Sequence, residues 1–96
     1  MAENENIDDI TINYADEEGV QLVKELDKII LSRGSWCTII FLYQDLDRKT
    51  GEFGPQKATI RRYKKTGGVF RQQSKFNISG DKQGMQISDA LRKWFS

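Results

Sequence analysis

The stretch from Lys57 to Lys75 holds seven bases and no acid across nineteen residues. Protein surfaces ordinarily mix the two signs, so a one-sign run of this length points to a polyanionic partner. Lysine and arginine neutralise phosphates and release their counterions. Flat rings lie among these bases, Tyr63 and Phe70 within the run and Trp36 upstream. Each ring offers a stacking surface worth about 1–3 kcal/mol per nucleic-acid base. Gln73 and Asn77 add amides that bond base edges or phosphates. The candidate binding set is therefore Trp36, Lys57, Arg61, Tyr63, Lys64, Lys65, Phe70, Arg71, Gln73 and Lys75. The competing reading is a solvated basic sheet face with Tyr63 as an ordinary cross-strand partner.

Other chemistries are poorly supplied. The chain contains no histidine, which removes the commonest general base and the commonest metal ligand. Its one cysteine, Cys37, sits in an apolar run and reads as a small buried hydrophobe, not a nucleophile. Asp45, Asp47 and Glu52 have a partial oxygen-ligand spacing, but Arg48 and Lys49 lie between them and would repel a cation. They read as turn residues. The expectation is a protein with no catalytic residue, no metal and no cofactor.

The elements that must hold these residues follow from pattern. Trp36 to Tyr43 is almost wholly β-branched or aromatic, and residues 35–45 read as a strand. A hairpin loop follows, with Thr50-Gly51 and Gly54-Pro55 as turn chemistry. Residues 57–65 alternate, Thr66-Gly67-Gly68 turns, and residues 69–79 run back, so a meander is expected. Alternation places Lys57, Arg61, Tyr63 and Lys65 on one face with Arg71, Gln73 and Lys75. Residues 20–32 are ambiguous, and their spacing favours helix over strand. The C-terminus reads as a helix capped by Ser79 or Asp81, with Ile87, Leu91, Trp94 and Phe95 packing on the sheet.

At 96 residues, 38% hydrophobic and 30% charged, the chain fits one small globular domain. Ten aromatic residues argue against full disorder, and no apolar run is long enough to span a membrane. The net charge of +1 conceals an asymmetry. Residues 1–47 carry eleven acids and three bases, whereas residues 48–96 carry three acids and twelve bases. Residues 1–18 read as an acidic, largely flexible arm, its first six or so residues disordered, and residues 19–96 as the domain. The start, MAENENIDDI, has no apolar signal region, so an intracellular protein is expected.

Ile60-Arg61-Arg62-Tyr63, a glycine turn, the basic segment Arg71 to Ser79 and a closing helix resemble the single-stranded-DNA-binding transcriptional coactivators of the positive cofactor four type. Upstream, Gln21 to Ser32 followed by Gly34-Ser35-Trp36 looks like the first strand and turn of bacterial members, so the likeness covers about residues 20–95. Arg61 and Tyr63 match the arginine and tyrosine of the family's first motif, and Lys75 matches the lysine of its second. Three features depart from the pattern. Lys64 stands where many members have an aromatic, Phe76 stands in place of a glycine, and the 45–56 loop is long.

The resemblance implies an α+β fold, a curved four-stranded antiparallel sheet followed by a C-terminal helix, working as a homodimer. It turns residues 20–32 from helix to strand. It implies a non-enzymatic protein of the cytoplasm, nucleoid-associated if bacterial, that binds single-stranded DNA in preference to RNA with little sequence specificity. A transcription-machinery protein is a further implied partner. The rival reading is an interaction module whose basic sheet docks an acidic protein.

Overall fold

Four long strands run antiparallel in sequence order in this computed structural model, which describes residues 6–96. A 3-10 turn at Ile7–Asp9 precedes β1 (Tyr14–Ala15), β2 (Gln21–Ser32), β3 (Trp36–Asp47), β4 (Glu52–Phe53), β5 (Lys57–Thr66), β6 (Val69–Ile78) and helix α1 (Asp81–Phe95). The order across the curled sheet is β1-β2-β3-β5-β6, with β4 pairing β3. The fold is α+β, as expected, but the sheet has six strands where four were expected. The additional ones, β1 and β4, have two residues each, too few for an alternating pattern to register.

Residues 21–32 are a strand, against the helical reading of their spacing. Two bulges explain the misleading pattern. Register shifts between Glu25 and Asp27 and between Ile30 and Ser32 leave Leu26 and Leu31 without a partner. Each extra residue reverses the alternation, because side chains on a strand repeat every second position. Val23, Glu25, Lys28 and Ile30 therefore share one face, and the bulged Leu26 between Val23 and Ile30 completes the helix-like spacing.

That face is the inner one. Cys37, Ile39, Phe41 and Tyr43 of β3 are buried on it, and cross-strand pairing adds Thr59 and Tyr63 of β5. Ile7, Ile10 and Ile12 cover it and join Cys37, Ile39, Phe41, Tyr43 and Tyr63 in one core cluster. Burial of an isoleucine side chain is worth about 1.5–3 kcal/mol. Polar contacts fix the covering segment to β2. Lys28 Nζ donates to the carbonyl oxygens of Asp8 (2.7 Å) and Ile10 (2.5 Å), and Arg33 pairs with Asp8 at 3.0 Å. Glu25 accepts from Thr11 Oγ1 (2.7 Å), and its own amide donates to Asn13 Oδ1 (2.7 Å). Residues 7–12 thus supply part of the core, in a segment that composition assigns to a flexible arm. The disorder expected for the first six residues falls, for Met1 to Glu5, outside the described residues.

The outer face is sparsely covered. Helix α1 meets the sheet only near its start, where Gly84 lies against the buried Ile78 of β6 and Ile87 is half-buried; Leu91, Trp94 and Phe95, also expected to pack on the sheet, are exposed. Trp94 and Phe95 are 70% and 81% exposed, and Ile29 and Phe76 on the strands are more than half exposed. The cap also differs from expectation. Gly80 is the N-cap and makes no side-chain bond, while Gln83 Oε1 reaches back to accept from the amide (2.8 Å) and hydroxyl (3.0 Å) of Ser79. Among the described residues, no helix is long and apolar enough to cross a membrane.

Candidate nucleic-acid interface

Pairing between β5 and β6 sets which bases meet. Arg61 lies opposite Lys75 and Thr59 opposite Asn77, on the inner face. A register shift between Arg62 and Tyr63 then leaves Gln73 unpaired, and Tyr63 meets Gln72. Beyond that bulge the alternation of β6 is reversed. Gln72 and Phe70 join the inner face, while Arg71 lies opposite Lys64. Straight alternation had grouped Arg71, Gln73 and Lys75 and sent Phe70 and Gln72 to the other side.

The N-terminal segment is anchored along β2 and reaches across β3 to Tyr63 of β5. Between that segment and β5–β6 a groove of about 870 Å³ remains. Arg61, Tyr63, Phe70, Arg71, Gln72, Lys75 and Asn77 line one side, and Ile10 to Tyr14 line the other. Tyr43, Val23 and Asp45 also line it. Arg61 and Lys75 of the inner face and four aromatic rings (Tyr14, Tyr43, Tyr63, Phe70) thus border one open trough, and Arg71, paired with the outward Lys64, adjoins it from beside the β6 bulge. Of the sequence-derived set, Arg61, Tyr63, Phe70, Arg71 and Lys75 line the groove, whereas Trp36, Lys57, Lys64, Lys65 and Gln73 do not.

The individual environments differ. Tyr63 is buried beneath the covering segment, so it is a wall of the groove and not a free stacking platform. Burial pushes its phenol above the usual tyrosine range, against the opposing effect of the Arg61 charge and hydrogen bond. Arg61 Nη1 donates to Gln72 Oε1 at 3.1 Å, while its buried Nε has no hydrogen-bond partner. Phe70 packs against the core cluster, with the Lys65 ammonium 5.6 Å from its ring centre. The charge of Lys57 is engaged by Asp45 at 3.1 Å. Cys37 is buried, and burial raises its thiol above the usual range despite the Arg33 charge. Asp47 serves the turn, accepting from the Lys49 amide at 2.9 Å.

Trp36 and Lys64 lie opposite each other on the outer face. The Arg62 guanidinium is 4.7 Å and the Lys64 ammonium 5.4 Å from the Trp36 ring centre. Sequence reasoning missed Tyr14, Asn13 and Tyr43 as groove residues. Only the covering segment brings the first two there, and its single signal was the alternation of Ile10, Ile12 and Tyr14.

No protein-family model, curated protein or solved structure matches the chain.

Proposed function

We propose that the protein is a non-enzymatic binder of single-stranded nucleic acid, DNA in preference to RNA, that seats the strand in the groove between the N-terminal segment and β5–β6. The observation carrying this reading is the coincidence of Arg61, Arg71 and Lys75 with aromatic walls and the amides of Gln72 and Asn77 in one trough. Cations of this kind neutralise phosphates, and rings and amides hold bases without demanding a sequence. The resemblance to the positive cofactor four coactivators supports the reading too, and on that basis the protein works in transcription or DNA metabolism.

A homodimer belongs to the same reading. Phe76 and Ile29 on the outer face and Trp94 and Phe95 on α1 leave apolar surface that a second copy would cover.

Fluorescence anisotropy with a labelled single strand, the matching duplex and an RNA version, across a salt series, tests the proposal. Single-strand binding should weaken with salt, log K falling by about 0.7 per phosphate contact for each unit of log salt. Arg61→Ala should weaken it about tenfold, the loss of one charged hydrogen bond to phosphate. Equal affinity for duplex, or no binding at low salt, would leave the basic strands as a docking surface for an acidic protein.

A further inference from the structure

The molecule carries a second basic–aromatic surface that the groove does not use. Trp36, at the start of β3, keeps 43% of its surface exposed on the outer face. Arg62 and Lys64 of β5 hold their cations over its ring, at 4.7 and 5.4 Å from its centre. Neither enters an ion pair with a described residue, so no described acid neutralises either charge and the Trp36 ring is their shared contact. This cluster alternates along β5 with the groove residues: Arg61 and Tyr63 point inward, Arg62 and Lys64 outward. The two surfaces meet at the end of the β5–β6 hairpin, where Lys65 lies opposite Phe70. No acid occurs between residues 57 and 75 to interrupt a polyanion passing from one to the other.

We infer that the Trp36–Arg62–Lys64 cluster is a second binding subsite for a single nucleic-acid strand, which leaves the groove, turns over the hairpin end and stacks a base on Trp36. The inference rests on the proposed groove reading. Charge decides the occupant: two unpaired cations beside an exposed indole suit alternating phosphates and bases, and continuity with the groove makes it the same strand. The occluded length then exceeds the groove. Short strands bind in the groove alone, and longer ones engage both surfaces.

The test is an oligothymidine length series, from about 4 to about 16 nucleotides, the range of site sizes for single-strand binding domains, titrated into the full chain by anisotropy. Trp36→Ala should leave the shortest strands within about twofold of wild type and weaken the longest by about fivefold or more, the loss of one stacked base. The double variant Arg62→Ala/Lys64→Ala should lower the salt slope by about 1.4 for long strands only, two phosphate contacts at about 0.7 each. In a Trp94→Phe background, fluorescence of Trp36 should be quenched by long strands and unchanged by short ones. Equal weakening at every length, no weakening at any length, or a changed molecular mass of Trp36→Ala overturns the subsite while leaving the groove intact. Wild-type chain that binds no strand of any length overturns both, and Arg61→Ala, which should weaken all lengths alike, separates the two readings.

Discussion

Ile10 is 3% exposed at the centre of the segment that covers the inner face, and its truncation tests whether that segment belongs to the core. Ile10→Ala removes three carbon atoms from contact with a cluster that includes Phe41, Ile39 and Tyr63. Truncation of a buried isoleucine to alanine costs about 2–5 kcal/mol, the upper part of that range applying where the surroundings cannot collapse. Here the covering segment borders an open groove and can settle inward, so a value near 2–3 kcal/mol is expected. A domain of this size has roughly 5–15 kcal/mol of total stability, so the loss would be prominent. Urea unfolding followed by tyrosine and tryptophan fluorescence gives the assay. The midpoint should fall with the slope unchanged, and the melting temperature should drop by about 8–24 °C at 4–8 °C per kcal/mol. Ile29→Ala is the control: its side chain is more than half exposed on the outer face, so its loss costs less in the isolated chain. A change below about 0.5 kcal/mol for Ile10→Ala, the range of ordinary surface substitutions, would refute the reasoning. The segment would then lie on the sheet without contributing to the fold, and the groove would lose its second wall.

Two further outcomes are expected. Tyr63 holds its proton more tightly folded than unfolded, so it contributes stability below its ordinary pKa of 10.0, lost as pH rises through the folded value. Wild type should therefore lose stability more steeply above about pH 10 than Tyr63→Phe, measured by urea midpoints across pH, with Cys37 adding its own decline from about pH 9 in both proteins. Phe95→Ala or Trp94→Ala should shift sedimentation equilibrium from two chains to one without lowering monomer stability by more than about 0.5 kcal/mol, since neither side chain is buried within the chain; a wild-type chain that sediments as a monomer contradicts the dimer.

The long strands after residue 35 were legible from two signals, the β-branched and aromatic run from Trp36 to Tyr43 and the alternation of residues 57–65, both where the pairing is regular. Trp36 to Tyr43 pairs with β5 in unbroken register, and its run of β-branched and aromatic residues is buried on one face and mostly half-buried on the other. The errors cluster at bulges. Leu26 and Leu31 disguised β2 as a helix, and Gln73 moved Phe70 and Gln72 to the opposite face from that given by counting. A bulge depends on the partner strand, so neither strand announces it alone. The site suffered for the same reason: Arg61, Tyr63 and Lys75 were grouped correctly because no bulge lies between Arg61 and its partner Lys75. The covering segment was missed because composition was read by its acids. Its three isoleucines are spaced to reach one surface, but only the apolar inner face of β3 explains why they do.

The arrangement of charge has a physical consequence that the net value of +1 hides. Acids and bases had the opportunity to neutralise one another and largely do not. The covering segment is tied to β2 through Lys28, Arg33 and Glu25, on the side of the sheet away from β6. Of the bases between residues 57 and 75, Arg61, Arg62, Lys64, Lys65 and Lys75 enter no ion pair with a described residue. Moreover, pairing sets Arg61 opposite Lys75 and Lys64 opposite Arg71. Like charges directly across a sheet destabilise it, by roughly the 0.2–1 kcal/mol that opposite charges contribute. A fold with acids to spare tolerates two such pairs on adjoining strands, one on each face. Stability alone gives no reason for that placement, since exchanging Lys75 for an acid would turn repulsion into attraction. On the proposed function an anionic ligand gives a reason: repulsion between Arg61 and Lys75 would be relieved when phosphates enter between them, and that pair would then favour the complex.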